Sequence, residues 1–112
     1  MSNENRENRN CEPCRGGVSP MTAEVVRQEL VELPGWLLSD DASTISRRFE
    51  FKGFAKAVEM ANLAAWLGNK QGHHPDISFG WGYCEVAFTT HDSGGVTEND
   101  LICAARLSAL VA

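Results

Sequence analysis

Apolar residues recur along this chain at two spacings, and the switches between them mark its elements. Thr22 is placed to cap a first helix, Glu24 suits its first turn, and Val25, Val26, Leu30 and Val31 follow at helical intervals. Pro34-Gly35 ends that helix. Trp36-Leu37-Leu38 reads as a short strand and Asp40-Asp41-Ala42-Ser43 as a turn. From Thr44 to Phe51 the pattern alternates, with Ile45, Phe49 and Phe51 on one side and Ser46, Arg48 and Glu50 on the other; Arg47 is the mismatch on the apolar side. That is the mark of a half-buried strand, and the two strands predict a hairpin.

A long helix is expected from about Phe54 to Lys70, where Phe54, Val58, Ala61 and Ala65 form a stripe that Ala57, Ala64 and Leu67 widen. Gly72 can end it as a left-handed cap, and Pro75 pushes His74 toward extended geometry. Ile77, Phe79 and Trp81 alternate as a third strand. Tyr83 to His91 alternates as a fourth, with Cys84, Val86, Phe88 and Thr90 on one face and Glu85, Ala87, Thr89 and His91 on the other. After Ser93-Gly94-Gly95, Thr97-Glu98-Asn99-Asp100 opens a C-terminal helix carrying Leu101, Ile102, Ala105, Leu107 and Leu110.

The order is α-β-β-α-β-β-α, an α+β chain. Each helix has one apolar stripe, so three helices can cover one face of a four-stranded antiparallel sheet. The other face must then be exposed or covered by another subunit, and an exposed face or edge favours a homo-oligomer.

Composition changes this picture mainly at the N-terminus. Residues 1–19 are polar and aperiodic and read as a disordered tail, leaving 20–112 as the folded domain. The tail holds equal numbers of acidic and basic residues, so the net charge of −5 belongs to the domain. An acidic domain argues against direct nucleic-acid binding and against anionic membranes. No apolar run approaches a bilayer span and no secretory apolar core follows Met1, so the expected location is cytoplasmic.

Four cysteines are present. Cys11 and Cys14 form a C-x-x-C in the tail, without the second pair that a structural zinc site usually has. The pair reads as a mobile element without essential chemistry, with metal capture or a redox-labile disulfide as alternatives.

All three histidines lie within 19 residues: His73-His74, followed by Pro75, and His91. Imidazole titrates near neutral pH, so the cluster suggests proton transfer to a small molecule. Each residue also has a plain structural reading. His73 can face the last carbonyls of the long helix, and His74 can be a solvated loop residue. Asp100 can complete an approximate capping box with Thr97.

The combination is more specific. Gly72-His73-His74-Pro75, Trp81 six residues later, Thr89-Thr90-His91-Asp92, Gly94-Gly95 and Thr97-Glu98-Asn99-Asp100 together resemble the signature of the pterin-4a-carbinolamine dehydratases. The resemblance covers about residues 20–112. It implies catalytic histidines at His73, His74 and His91. Gly72, His73, His74 and Thr89, Thr90, His91, Asp92 become substrate contacts, and Asp100 and Trp81 become supporting residues. One position departs: Asn69 stands where the family often has an acidic side chain.

The implied activity is that of a 4a-hydroxytetrahydrobiopterin dehydratase, which removes water from pterin 4a-carbinolamine to give a quinonoid dihydropterin, in tetrahydrobiopterin recycling. The leaving hydroxide must be protonated and a ring nitrogen must lose a proton, work suited to imidazoles. His73 and His91 are expected to transfer the protons and His74 to orient the ring, with no metal and no organic cofactor. A pterin small molecule is the expected partner, with a homodimer or homotetramer as the assembly. The alternative is a non-catalytic partner-binding or assembly factor on the same fold; retention of all three histidines and Asp100 favours the enzyme.

Overall fold

The elements follow the expected order: α1 (Ala23–Leu30), β1 (Leu37–Leu38), β2 (Ile45–Glu50), α2 (Ala55–Gln71), β3 (Asp76–Gly80), β4 (Tyr83–Phe88) and α3 (Glu98–Leu110). The computed structural model describes residues 5–13 and 18–112. The strands form one antiparallel sheet in the order β1-β2-β4-β3. Register pairs Ile45 with Phe88, Arg47 with Val86, Phe49 with Cys84 and Ile77 with Val86, so the apolar side chains of neighbouring strands share one face. The three helices cover that face. Val26 of α1, Ala57, Met60, Ala64 and Leu67 of α2, and Leu101, Ala104 and Leu107 of α3 are buried with Ile45, Val86 and Phe88.

The opposite sheet face is polar. Ser46, Arg48, Glu50, Tyr83 and Glu85 occupy it by register, with the Arg48 guanidinium 4.3 Å from the Tyr83 ring centre. Leu37, paired with Ser46, is the exposed apolar side chain on this face, while three others lie near the β3 edge, where Phe54 packs against Phe79 at 6.1 Å and Trp81 stands out from the β3–β4 turn. The open face is otherwise compatible with water.

Arg47 does face inward. Its guanidinium lies 4.4 Å from the Phe49 ring centre and donates to Ser108 Oγ at 3.2 Å. Trp36 Nε1 donates to the same hydroxyl at 2.9 Å. One serine on the last turns of α3 thus satisfies two polar groups at the margin of the core.

Two details differ from the sequence expectations. The buried face of α2 runs through Ala57, Met60, Ala61, Ala64, Leu67 and Gly68, while Phe54 and Ala65 are exposed. The fourth strand stops at Phe88 rather than His91, because the Thr90 carbonyl accepts from the amides of Ser93, Gly94 and Gly95 and pulls the chain into a 3-10 turn over His91–Ser93.

Residues 5–13 run along α3, with a 3-10 turn at Arg6–Asn8. Arg6 is buried between Glu98 and Glu29, and Arg106 Nη1 donates to the Arg9 carbonyl at 2.8 Å. Glu98 and Arg106 lie more than ninety residues from their partners in this segment, beyond the reach of local polarity. Cys14 lies outside the described residues.

Candidate active site

The α2 helix ends as its sequence dictates. Gly72 adopts the left-handed conformation (φ 67°, ψ 24°), and the His73 amide donates back to the Gly68 carbonyl at 3.0 Å. A side chain at Gly68 would run into Pro75 Cδ and come within 3.2 Å of the His73 carbonyl oxygen. Gly68 therefore allows the His73-His74-Pro75 corner to fold tightly over the last turn of α2.

This corner drives His73 inward. Its ring is 5% exposed as a residue, lies parallel to Phe88 at 6.1 Å, and shares a hydrogen bond of 2.5 Å from Nε2 to Asp100 Oδ1. Asp100 is fully buried. Its Oδ2 accepts from Thr90 Oγ1 at 2.8 Å and from the Thr97 amide at 2.9 Å. The Thr97 side chain completes a capping box at the start of α3 and also meets Thr90 Oγ1 at 2.8 Å. Asp100 thus satisfies the helix start and the imidazole together.

Burial alone would lower the His73 pKa. The Asp100 hydrogen bond and charge outweigh it, with a smaller contribution from Cys11, and hold the imidazolium above its ordinary range. His73 is a buried ring biased toward its protonated form.

Around this pair the surface forms a cleft of about 230 Å³ lined by Gly72, His73, His74, Thr89, Thr90, His91 and Asp92. Two separate turns meet here: the corner after α2, and the segment that leaves β4. Thr89 Oγ1 donates to the Ser43 carbonyl at 2.5 Å, which ties the second turn to the loop before β2. His74, His91 and Asp92 are exposed on the rim. Trp81 stands apart, 73% exposed at the far end of β3 and outside the cleft lining. Asn69 is exposed on the last turns of α2. No group of three or more metal-ligating side chains comes together among the described residues, and no helix there is long and apolar enough to cross a membrane.

Asp100 was expected as a supporting residue of the site and Thr97 as a helix start, whereas Gly68 and Phe88 were not expected there. A glycine within an otherwise helical stretch was the available signal for Gly68. Nothing local pointed to Phe88 as the stacking partner of His73.

The model for the family described as "Pterin 4 alpha carbinolamine dehydratase" matches residues 19–110. The chain belongs to the pterin-4a-carbinolamine dehydratase family. Two similar relatives carry the name "Putative pterin-4-alpha-carbinolamine dehydratase". One, from Paracoccus denitrificans, is 50% identical over 83% of this chain and 87% of its own. The other, from Methylococcus capsulatus, is 46% identical over 91% of this chain and 90% of its own. A crystal structure of a transcriptional coactivator/pterin dehydratase from Brucella melitensis superposes with a TM-score of 0.76 at 31% identity, covering 84% of this chain and all of that one. A pterin dehydratase-like protein described as a RuBisCO assembly factor in the alpha-carboxysome is similar at a TM-score of 0.57 and 26% identity, over 68% of this chain and 88% of that one. A protein of similar fold is thus described as having an assembly role.

Proposed function

We propose that this chain is a 4a-hydroxytetrahydrobiopterin dehydratase acting by histidine acid–base chemistry. The observation that carries the reading is the buried His73–Asp100 pair at a cleft rimmed by two further imidazoles, His74 and His91. A helix start needs only a cap. It does not need a buried imidazole biased toward protonation beside two exposed ones.

The chemistry follows from the residues. Asp100 occupies His73 Nε2, so the proton available for transfer is the one on Nδ1. We assign His73 as the acid that protonates the departing C4a hydroxyl, which leaves as water. His91 takes the proton from the ring nitrogen, giving the quinonoid dihydropterin. His74, held extended by Pro75, orients the ring. Asp100 is a positioning residue that acts through His73. Gly72 and Thr89, Thr90 and Asp92 contact the pterin as the cleft walls. No metal or organic cofactor has a part in this scheme. We place the activity in the cytoplasm, in tetrahydrobiopterin recycling, and in a homodimer or homotetramer assembled at the apolar edge near β3.

The similarity to an assembly factor keeps partner binding as the second reading. One assay separates them. The full chain is added to freshly generated 4a-hydroxytetrahydrobiopterin, and quinonoid dihydropterin formation is followed by stopped-flow absorbance. Acceleration over the spontaneous rate that is lost in His73→Ala supports the enzyme. No acceleration by folded wild-type protein leaves the partner-binding reading.

A further inference from the structure

Two thiols outside the proposed chemistry meet where the N-terminal segment crosses α3. Cys11 Sγ lies 3.5 Å from Cys103 Sγ, although the residues are 92 positions apart. The approach is held by polar ties on both sides of Cys11. The Cys11 amide donates to Gln71 Oε1 at 2.8 Å. Glu12 and Asn99 exchange two hydrogen bonds, at 3.0 and 2.7 Å. Arg6 bridges Glu29 and Glu98 further back along the same segment.

The two sulfurs differ in access. Cys103 is fully buried within α3, whereas Cys11 is partly exposed. Cys103 can therefore react only through Cys11. The hydrogen bond with Cys103 lowers the Cys11 pKa against the opposing effect of burial, and the His73 charge adds to it. A disulfide requires an S–S distance of about 2.05 Å, so the sulfurs must close by roughly 1.5 Å. A terminal segment anchored by side chains can supply that movement.

We propose that Cys11 and Cys103 form a redox-labile disulfide with glutathione disulfide as oxidant, fastening the N-terminal segment across the ends of α2 and α3. The Cys11 thiolate attacks one sulfur of glutathione disulfide. A Cys11–glutathione bond forms, and one glutathione leaves as thiolate and takes up a proton. The Cys103 sulfur, giving up its proton, displaces the second glutathione from Cys11. Two cysteine thiols lose two electrons and two protons, and one glutathione disulfide becomes two glutathione thiols. The tether binds at Gln71, two residues before His73, and at Cys103, one turn beyond Asp100. It thus links the two helix ends that carry the buried pair.

The test uses the full chain equilibrated in reduced or oxidised glutathione, alkylated, digested and mapped by mass spectrometry, with Tm measured in parallel. In oxidised glutathione the wild type and Cys14→Ser should both give a Cys11–Cys103 linked peptide. Reduced glutathione should reverse it, and Cys11→Ser and Cys103→Ala should lack it. Closing so long a loop should raise Tm by roughly 10 °C or more relative to the reduced protein. Mapping of wild type needs no substitution and stands whether or not Cys103→Ala folds. A dominant Cys11–Cys14 bond, glutathione retained on Cys11, or free thiols at both positions in oxidised glutathione would each overturn the proposal.

Discussion

Replacing Asp100 by Asn tests the buried pair with the smallest change of shape. The carboxylate accepts three hydrogen bonds: from His73, Thr90 and the Thr97 amide. The amide oxygen of Asn can keep the two on the Thr side. Its NH₂ group then faces His73 Nε2 and requires that nitrogen to be an acceptor, so the imidazolium is lost. Breaking a buried ion pair costs about 3–5 kcal/mol when one partner is removed, and a hydrogen bond to a charged group contributes about 1.5–3 kcal/mol. With two of three bonds retained, the expected loss is about 2–3 kcal/mol near pH 6. For a domain of this size that is roughly 10–15 °C in Tm.

The pH dependence has a definite sign. The folded His73 pKa lies above its ordinary value of 6.5, so the imidazolium stabilises wild type fully below that value. The contribution is lost as pH rises through the folded pKa. The deficit of Asp100→Asn should therefore be largest near pH 6 and smaller at about pH 9. Turnover should fall by about 10²–10⁴, as for a lost general acid, with a smaller change in KM. Chemical unfolding at the two pH values and single-turnover kinetics measure both effects. A deficit that does not change with pH, or turnover within about threefold of wild type, would refute the reasoning.

Gly68→Ala should be destabilising by about 1–3 kcal/mol, because the new methyl meets Pro75 and the His73 carbonyl. Helix propensity alone would make the same change stabilising by about 1 kcal/mol, so the sign of the measured ΔΔG decides between them. His91→Ala should lower kcat by about 10²–10⁴, whereas His74→Ala should act mainly on KM; abolished turnover at saturating substrate in His74→Ala alone would reverse these roles. Treatment with a strong chelator, with metal removal verified by elemental analysis, should leave turnover intact; a loss restored by zinc would contradict metal-free catalysis.

The secondary structure was legible because it is written in local periodicity. Alternation from Ile45 to Phe51 and from Tyr83 onward needs no knowledge of the partner strand. The caps at Thr22, Gly72 and Thr97 were legible for the same reason, since each acts within four residues. What local pattern could not supply is pairing across the fold. Arg47 looked like an error in its strand until Ser108 and Phe49 were placed beside it. Arg6 looked like tail charge until Glu98 and Glu29 enclosed it. At the site, motif spacing brought together the seven residues that line the cleft, from Gly72 to Asp92. It could not separate the buried imidazole from the two exposed ones, nor reveal that Trp81 projects elsewhere.

Asp100 serves two masters through different oxygens: Oδ2 closes the start of α3, and Oδ1 meets His73. In the proposed scheme, selection on folding and selection on chemistry consequently act on one carboxylate. A descendant that abandoned the reaction would still need the acid to begin its last helix, while its imidazoles would be free to drift. When sequences built on this fold are sorted into enzymes and former enzymes, a surviving T-x-x-D thus reports on the helix, and the histidines carry the information about chemistry.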